Sequence, residues 1–123
     1  MTSKLHIEDS TLRWRDNQGL LHRDHDKPAM IRANGDMFWC QHGEWHRDND
    51  MPAIIFADGS KSWWQHGKRH REQDQPAVIH ANGTKEWYQH GKRHREQDQP
   101  AVIYANGTKS WWQLDKFIRK ETV

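Results

Sequence analysis

This 123-residue chain has a single cysteine, no long apolar run and only a small net charge. Cys40 is the only cysteine, which excludes a disulfide framework and a cysteine zinc site. Only 33% of the residues are hydrophobic, and no stretch approaches the length of a membrane span. The first residues, MTSKLHIEDS, lack the apolar segment of a signal peptide. We therefore expect a soluble, cytoplasmic protein with no membrane partner.

The charge balance also narrows the functional classes. The chain has 19 basic and 17 acidic residues, a formal net charge of +2, whereas a dedicated DNA-binding domain is usually far more basic. Low hydrophobicity alone would be typical of disorder, but eight Trp, three Phe and two Tyr indicate a folded chain. These rings can stabilise a thin fold, and the length allows one domain.

The strongest signal is an internal repeat of 24 residues. Four units begin at Gly19, Gly43, Gly67 and Gly91, and the last two differ at only four positions. We predict an N-terminal segment with a partial capping repeat over residues 1–18, four repeats over 19–114, and a partial repeat with a tail over 115–123. A second glycine column, expected to form structural turns, consists of Gly35, Gly59, Gly83 and Gly107.

Each unit has the pattern of short β-strands. In the third unit, residues 77–81 are β-prone, Asn82-Gly83 is a strong hairpin signal, and residues 84–89 return. His90-Gly91 offers a second tight turn before a third strand over residues 92–95. A polar linker ending in proline leads to the next unit. The fold class predicted is all-β, a tandem-repeat antiparallel meander forming an elongated single sheet.

The turn type decides which side chains share a face. If both hairpins close with two-residue turns, Trp87 lies opposite Val78 on one side and His94 on the other. A bulge at either glycine would shift this register by one residue and exchange the faces.

The combined motifs resemble a known repeat family. A G-x-x-H-R turn, a P-A-x-I strand, an N-G or D-G turn and a W-W/Y-Q-H-G strand are similar to MORN-variant repeats, over about residues 11–119. Such repeats occur in bacterial antitoxin-type proteins and in phage and large-virus proteins. The resemblance implies a MORN-like β-hairpin array that acts as a scaffold, a partner-binding surface or a toxin neutraliser, with no cofactor. The linker departs from the family: H-R-E-Q-D-Q-P-A replaces the usual H-R-x-x-G-P-A.

A His-Arg pair recurs in every unit and has two interpretations. Its arginines could bind phosphates or acidic side chains through forked hydrogen bonds. Alternatively, they pair with a nearby Asp or stack on a Trp and tie the units together, which the strict repetition favours. The arginines of this column are Arg23, Arg47, Arg71 and Arg95.

Two neighbouring aromatic columns point to opposite faces. We expect the strict column, Trp39, Trp63, Trp87 and Trp111, to be core. The second column is Cys40, Trp64, Tyr88 and Trp112, and its rings could be either core or exposed for binding.

Three further positions of the repeat differ between units, while the glycine, proline and Trp columns are invariant. They are Arg32/Phe56/His80/Tyr104, Phe38/Ser62/Glu86/Ser110 and Leu21/Trp45/Arg69/Arg93. Such positions could carry partner contacts, or could have drifted at solvated sites. The partner-binding residues predicted are Arg23, Arg47, Arg71, Arg95, Trp64, Tyr88, Trp112, Trp45, Arg69 and Arg93.

No catalytic residue, metal or cofactor is predicted. The His42/His46 spacing would suit zinc on a helix, but here it spans a glycine turn. A His-acid pair recurs in nearly the same form in all four units, which indicates a structural role. An active site is normally a single group of residues in one pocket. We therefore expect a non-enzymatic protein-interaction module, such as an inhibitor or antitoxin/immunity-type protein. The alternatives are a nucleic-acid or nucleotide binder using Arg/His ladders and exposed aromatics, and an architectural protein that self-associates through open sheet edges.

Overall fold

The computed structural model describes residues 3–123, and all of their regular structure is β. The strands are β1 (Lys4–Glu8), β2 (Thr11–Arg15), β3 (Met30–Ile31), β4 (Met37–Phe38), β5 (Cys40–Gln41), β6 (Glu44–Trp45), β7 (Ile54–Ile55), β8 (Lys61–Ser62), β9 (Trp64–Gln65), β10 (Lys68–Arg69), β11 (Val78–Ile79), β12 (Lys85–Glu86), β13 (Tyr88–Gln89), β14 (Lys92–Arg93), β15 (Val102–Ile103), β16 (Lys109–Gln113) and β17 (Lys116–Glu121). Within residues 3–123, no helix has the length and apolar character needed to cross a membrane. The prediction of an all-β antiparallel hairpin array is confirmed.

Eleven of the strands form one elongated sheet. Its order is β1-β2-β3-β4-β7-β8-β11-β12-β15-β16-β17, and every neighbouring pair is antiparallel. The remaining six strands form three separate hairpins, β5-β6, β9-β10 and β13-β14. In each of the first three repeats the chain therefore leaves the long sheet, makes a short hairpin beside it, and returns through the linker, whereas β16 and β17 stay in the long sheet.

The first turn of the repeat has a bulge, so the two-residue register is wrong there. Val78 pairs with Glu86, and Trp87 is not its partner. The N–H of Gly83 donates to the carbonyl of His80 at 2.9 Å, and the N–H of His80 donates to the carbonyl of Thr84 at 2.8 Å. Gly83, with φ of 95°, is the extra residue that shifts the register. Trp87 and Val78 consequently lie on opposite faces.

The second turn follows the prediction. Tyr88 pairs with Arg93 around the two-residue turn His90-Gly91, whose φ values are 53° and 85°. Positive φ at both positions defines the tight turn that matches strand twist. The N–H of His94 donates to the carbonyl of Trp87 at 3.1 Å, so the predicted pairing of these two residues is confirmed.

Each linker contains two consecutive residues with a left-handed backbone conformation, and neither of them is glycine. Gln73 and Asp74 both have positive φ, 62° and 54°, and the equivalent pair in each other linker does the same. Such values favour glycine, and Asn or Asp tolerate them best among other residues. An Asp occupies the second of these two positions in every linker.

Candidate functional site

Most of the side chains that recur in every repeat contact other residues of the chain. The guanidinium of Arg71 lies 3.8 Å above the ring of Trp63, and its Nε and Nη2 donate to Asp50 at 2.9 and 3.3 Å. Its Nη1 donates to the carbonyl of Pro76 at 3.1 Å. Cation–π stacking and a forked ion pair thus join successive linkers. Equivalent ring and proline-carbonyl contacts are made by Arg23, Arg47 and Arg95. A role for these arginines in partner binding stays a prediction.

The Asp of each linker has a second contact, which the sequence did not reveal. Nε1 of Trp87 donates to the backbone carbonyl of Asp74 at 3.1 Å, while the Asp74 carboxylate accepts the fork of Arg95 at 2.9 and 3.3 Å. One residue therefore holds both a tryptophan and an arginine. The tryptophans of this buried column are Trp39, Trp63, Trp87 and Trp111.

The histidines of the His-Arg pairs link successive hairpins. Nδ1 of His70 accepts the backbone N–H of His90 at 3.0 Å, and its Nε2 bonds to the carboxylate of Glu72. A backbone N–H can only donate, so the ring proton resides on Nε2. His22, His46 and His94 repeat the arrangement, and all four rings are buried.

One group of three potential metal ligands, Asp16, His22 and His42, lies within 4.8 Å among residues 3–123. Both nitrogens of His22 are occupied, by the N–H of His42 at 3.0 Å and by Asp24 at 2.9 Å. Nδ1 of His42 bonds to Asp16 at 2.8 Å, and this hydrogen bond lowers the pKa of the Asp16 carboxyl. Hydrogen bonding accounts for the group, and we assign no metal to it.

The three varying columns come together on one face of the array, which we call the variable face. Its members, by their contacts and pairing, are Arg32, Phe56, His80 and Tyr104, then Phe38, Ser62, Glu86 and Ser110, then Trp45, Arg69 and Arg93, and the second aromatic column Cys40, Trp64, Tyr88 and Trp112. Residues of one column lie beside those of the next: Phe38 contacts Phe56 and Trp45, with ring centroids 6.1 and 5.4 Å apart. Side chains that differ between repeats therefore pack against one another on one face.

One column of the variable face is buried, and we call these four residues its floor. Random sequence drift at solvent-exposed positions therefore does not explain their variation. Phe38, Ser62, Glu86 and Ser110 are all 8% exposed or less. In three repeats the floor residue bonds to the residue two positions later, which strand geometry places on the same face. The hydroxyls of Ser62 and Ser110 accept the indole N–H of Trp64 and Trp112 at 2.8 and 2.9 Å.

The third repeat replaces this Ser–Trp pair with an ionised cluster. Glu86 accepts the hydroxyl of Tyr88 at 3.0 Å, the guanidinium of Arg93 at 2.9 and 3.1 Å, and bonds to Nε2 of His80 at 2.6 Å. Burial raises the pKa of Glu86, but the hydrogen bonds from His80, Arg93 and Tyr88 outweigh it, so the pKa lies below its ordinary value. The cluster keeps a carboxylate charged inside the face.

Arginines alternate with rings along the outer rim of the face. The guanidinium carbon of Arg69 lies 5.0 Å from the ring centroid of Trp64 and 5.3 Å from that of Tyr88. The guanidinium carbon of Arg93 lies 5.8 Å from Tyr88 and 5.0 Å from Trp112. Tyr88 therefore has two arginines near its ring, and Trp64 and Trp112 have one each.

Two rings of the variable face are exposed. Phe56 is 39% exposed and Tyr104 is 40% exposed. An open cleft of about 250 Å³ lies beside Tyr104, and its lining includes His80, Glu86 and Arg93. Tyr104 and Arg93 therefore line the same open cleft.

The predicted partner residues divide into two groups in the structure. Trp45, Trp64, Arg69, Tyr88, Arg93 and Trp112 lie together on the variable face, whereas the arginines of the His-Arg pairs stack on the buried Trp column. Sequence reasoning missed the matching of Ser with Trp and of Glu with Tyr two residues apart. The signal was present, because these pairs change together between repeats.

The chain was compared with protein-family models and with curated proteins. No protein-family model matches the chain, and no curated protein matches it significantly. The membership of the MORN-variant family stays a prediction from the motifs.

Proposed function

We propose that this chain is a non-enzymatic interaction module that binds another protein through the variable face, as an inhibitor or antitoxin/immunity-type protein of the MORN-variant kind acting in the cytoplasm. One observation carries the proposal: the positions that differ between repeats pack together on one face, which includes the exposed side chains of Phe56, Arg69 and Tyr104. In a linear array of repeats, positions that vary between units can carry partner contacts, while the invariant positions maintain the stack.

The composition of the face supports a protein partner. Aromatic and arginine side chains are the types enriched at the centres of protein interfaces. A nucleic acid that stacks its bases needs accessible ring faces, whereas Tyr88 is buried and Trp64 and Trp112 are half-buried with an arginine near each ring. Nucleic-acid binding therefore ranks below protein binding.

The test is capture of a partner from a lysate of the source cells with the tagged chain, with and without nuclease. We expect one stoichiometric protein that survives nuclease and is lost when Phe56→Ser and Tyr104→Ser are combined. The matched control carries Lys61→Ser and Lys109→Ser, exposed residues on the opposite face of the sheet. Retention by the variable-face variant, loss in the control, or capture of nucleic acid alone would contradict the proposal.

A second candidate is self-association through the outer strands. On β1, Leu5 and Ile7 are 49% and 61% exposed, and on β17, Phe117 and Ile118 are 56% and 55% exposed. The outer backbone groups of both strands pair with no strand among residues 3–123. Unpaired edges of this kind can pair with another chain. Light scattering after size exclusion should then show oligomers that Ile7→Lys dissociates, and a monomer at all concentrations would exclude this candidate.

A further inference from the structure

Arg69 and Arg93 occupy equivalent positions in two successive short hairpins but differ in charge compensation. Arg93 donates two hydrogen bonds to Glu86, at 2.9 and 3.1 Å. At the position equivalent to Glu86 the preceding repeat has Ser62, whose hydroxyl is already bonded to Trp64. The side chain of Arg69 is exposed and forms no hydrogen bond or ion pair with any residue from 3 to 123. Its charge is therefore uncompensated on this face.

Two aromatic rings lie near the guanidinium of Arg69. Its guanidinium carbon is 5.0 Å from the ring centroid of Trp64 and 5.3 Å from that of Tyr88, farther than the 3.8 Å between Arg71 and Trp63 in the stacked column. At these distances the N–H donors of the exposed guanidinium remain available for hydrogen bonds. A carboxylate is the group that matches the guanidinium fork with two hydrogen bonds.

We propose that Arg69 is the anchor for an acidic side chain of the partner, so that the variable face recognises an Asp- or Glu-containing protein segment. This inference rests on the proposed function and names the chemistry of its ligand. Glu86 and Arg93 provide an internal precedent, in which one carboxylate oxygen, Oε1, accepts hydrogen bonds from both Nε and Nη2 of the arginine. Phe56, in the same repeat as Ser62, is an exposed apolar side chain of the variable face.

The two repeats supply matched variants. Ser62→Glu, alone or with Trp64→Tyr, copies the Glu86–Tyr88 pair of the next repeat and should neutralise Arg69 from within. Glu86→Ser with Tyr88→Trp copies the Ser110–Trp112 pair and should release Arg93 as a second fork. Arg69→Gln removes the charge at an exposed position, and Lys61→Gln on the opposite sheet face is the control.

The probe is a library of random 12-residue peptides displayed on phage, selected against the folded native chain. We expect the selected peptides to be enriched in Asp and Glu, and a resynthesised peptide with amides in place of its carboxylates to bind roughly tenfold more weakly. Ser62→Glu and Arg69→Gln should cause a similar loss, Glu86→Ser with Tyr88→Trp a gain, and Lys61→Gln no change.

Peptides that bind without acidic residues, or that bind Arg69→Gln as well as the native chain, would overturn the inference while leaving the proposed function standing. Failure to select any peptide would overturn it as well, and capture of the cellular partner would then decide the proposed function separately. Binding of a single-stranded oligonucleotide (dT20) that Ser62→Glu abolishes would assign Arg69 to phosphate and contradict the acidic-protein proposal.

Discussion

Nδ1 of His70 accepts the backbone N–H of His90, 20 residues further along the chain, at 3.0 Å. The bond joins two successive hairpins and requires an acceptor at that ring position. We expect His70→Leu to lower the free energy of unfolding by about 1–3 kcal/mol, because it leaves the N–H of His90 without a partner. His70→Asn places an oxygen near the Nδ1 position and should cost less. Urea denaturation of the three proteins measures the difference, and equal losses in both variants would argue against the bond.

Trp87 is buried and is held on both sides. Its ring lies under the guanidinium of Arg95 at 3.9 Å, and its Nε1 donates to the carbonyl of Asp74. Trp87→Ala should therefore destabilise the protein by about 3–5 kcal/mol in chemical denaturation. Trp64→Ala, at a half-buried position of the neighbouring column, is the comparison and should cost less. A loss below about 1 kcal/mol for Trp87→Ala would contradict its place in the core.

Gly83 is the bulge residue of the first turn. A Cβ at this position would contact no other atom within 4 Å, so the cost of a side chain arises from the backbone, with φ of 95°. We expect Gly83→Val to cost about 1–3 kcal/mol, because β-branched residues are disfavoured at positive φ. Gly83→Asn should cost less. Thermal melting compares them, and a valine variant that melts like the native protein would show that the turn is wrongly described.

The charge of Glu86 makes part of the stability depend on pH. Its pKa in the folded state lies below the ordinary value of 4.5, so its stabilising contribution is present above that pH and is lost as the pH falls through the folded-state pKa. The difference in unfolding free energy between the native protein and Glu86→Gln should therefore shrink as the pH is lowered from 7 to 3. Glu44→Gln, at an exposed position, provides the control. A difference that stays constant over this range would contradict the ionised cluster.

Cys40 should be chemically inert in the folded protein. It is buried at 2% exposure, and burial raises the pKa of its thiol to about 12. At pH 8 we expect iodoacetamide to leave Cys40 unmodified in the folded chain and to modify it fully in denaturant, as followed by mass spectrometry. Rapid modification of the folded chain would place Cys40 at the surface.

The sequence predicted the repeats, the all-β antiparallel hairpin array and the turn at His90-Gly91, because glycine and proline columns mark chain reversals directly. It could not choose the turn at Asn82-Gly83, since this dipeptide fits a two-residue turn and also a turn with a bulge at glycine. Contacts between repeats accompany the bulged form: the hydroxyl of Thr84 accepts the N–H of Ala105 at 3.0 Å. A shift of one residue exchanges the faces. The position of the variable columns on one face therefore required the structure.

The central claim is that the differing positions form the binding face. Hydroxyl-radical footprinting of the captured complex tests it most directly, because oxidation reports on individual exposed side chains. The account predicts protection of Phe56 and Tyr104 in the complex, while Met51, 42% exposed in a linker, is oxidised as in the free protein. Protection of Met51 with unchanged oxidation of Phe56 and Tyr104 would contradict the account and place the partner on the linker side.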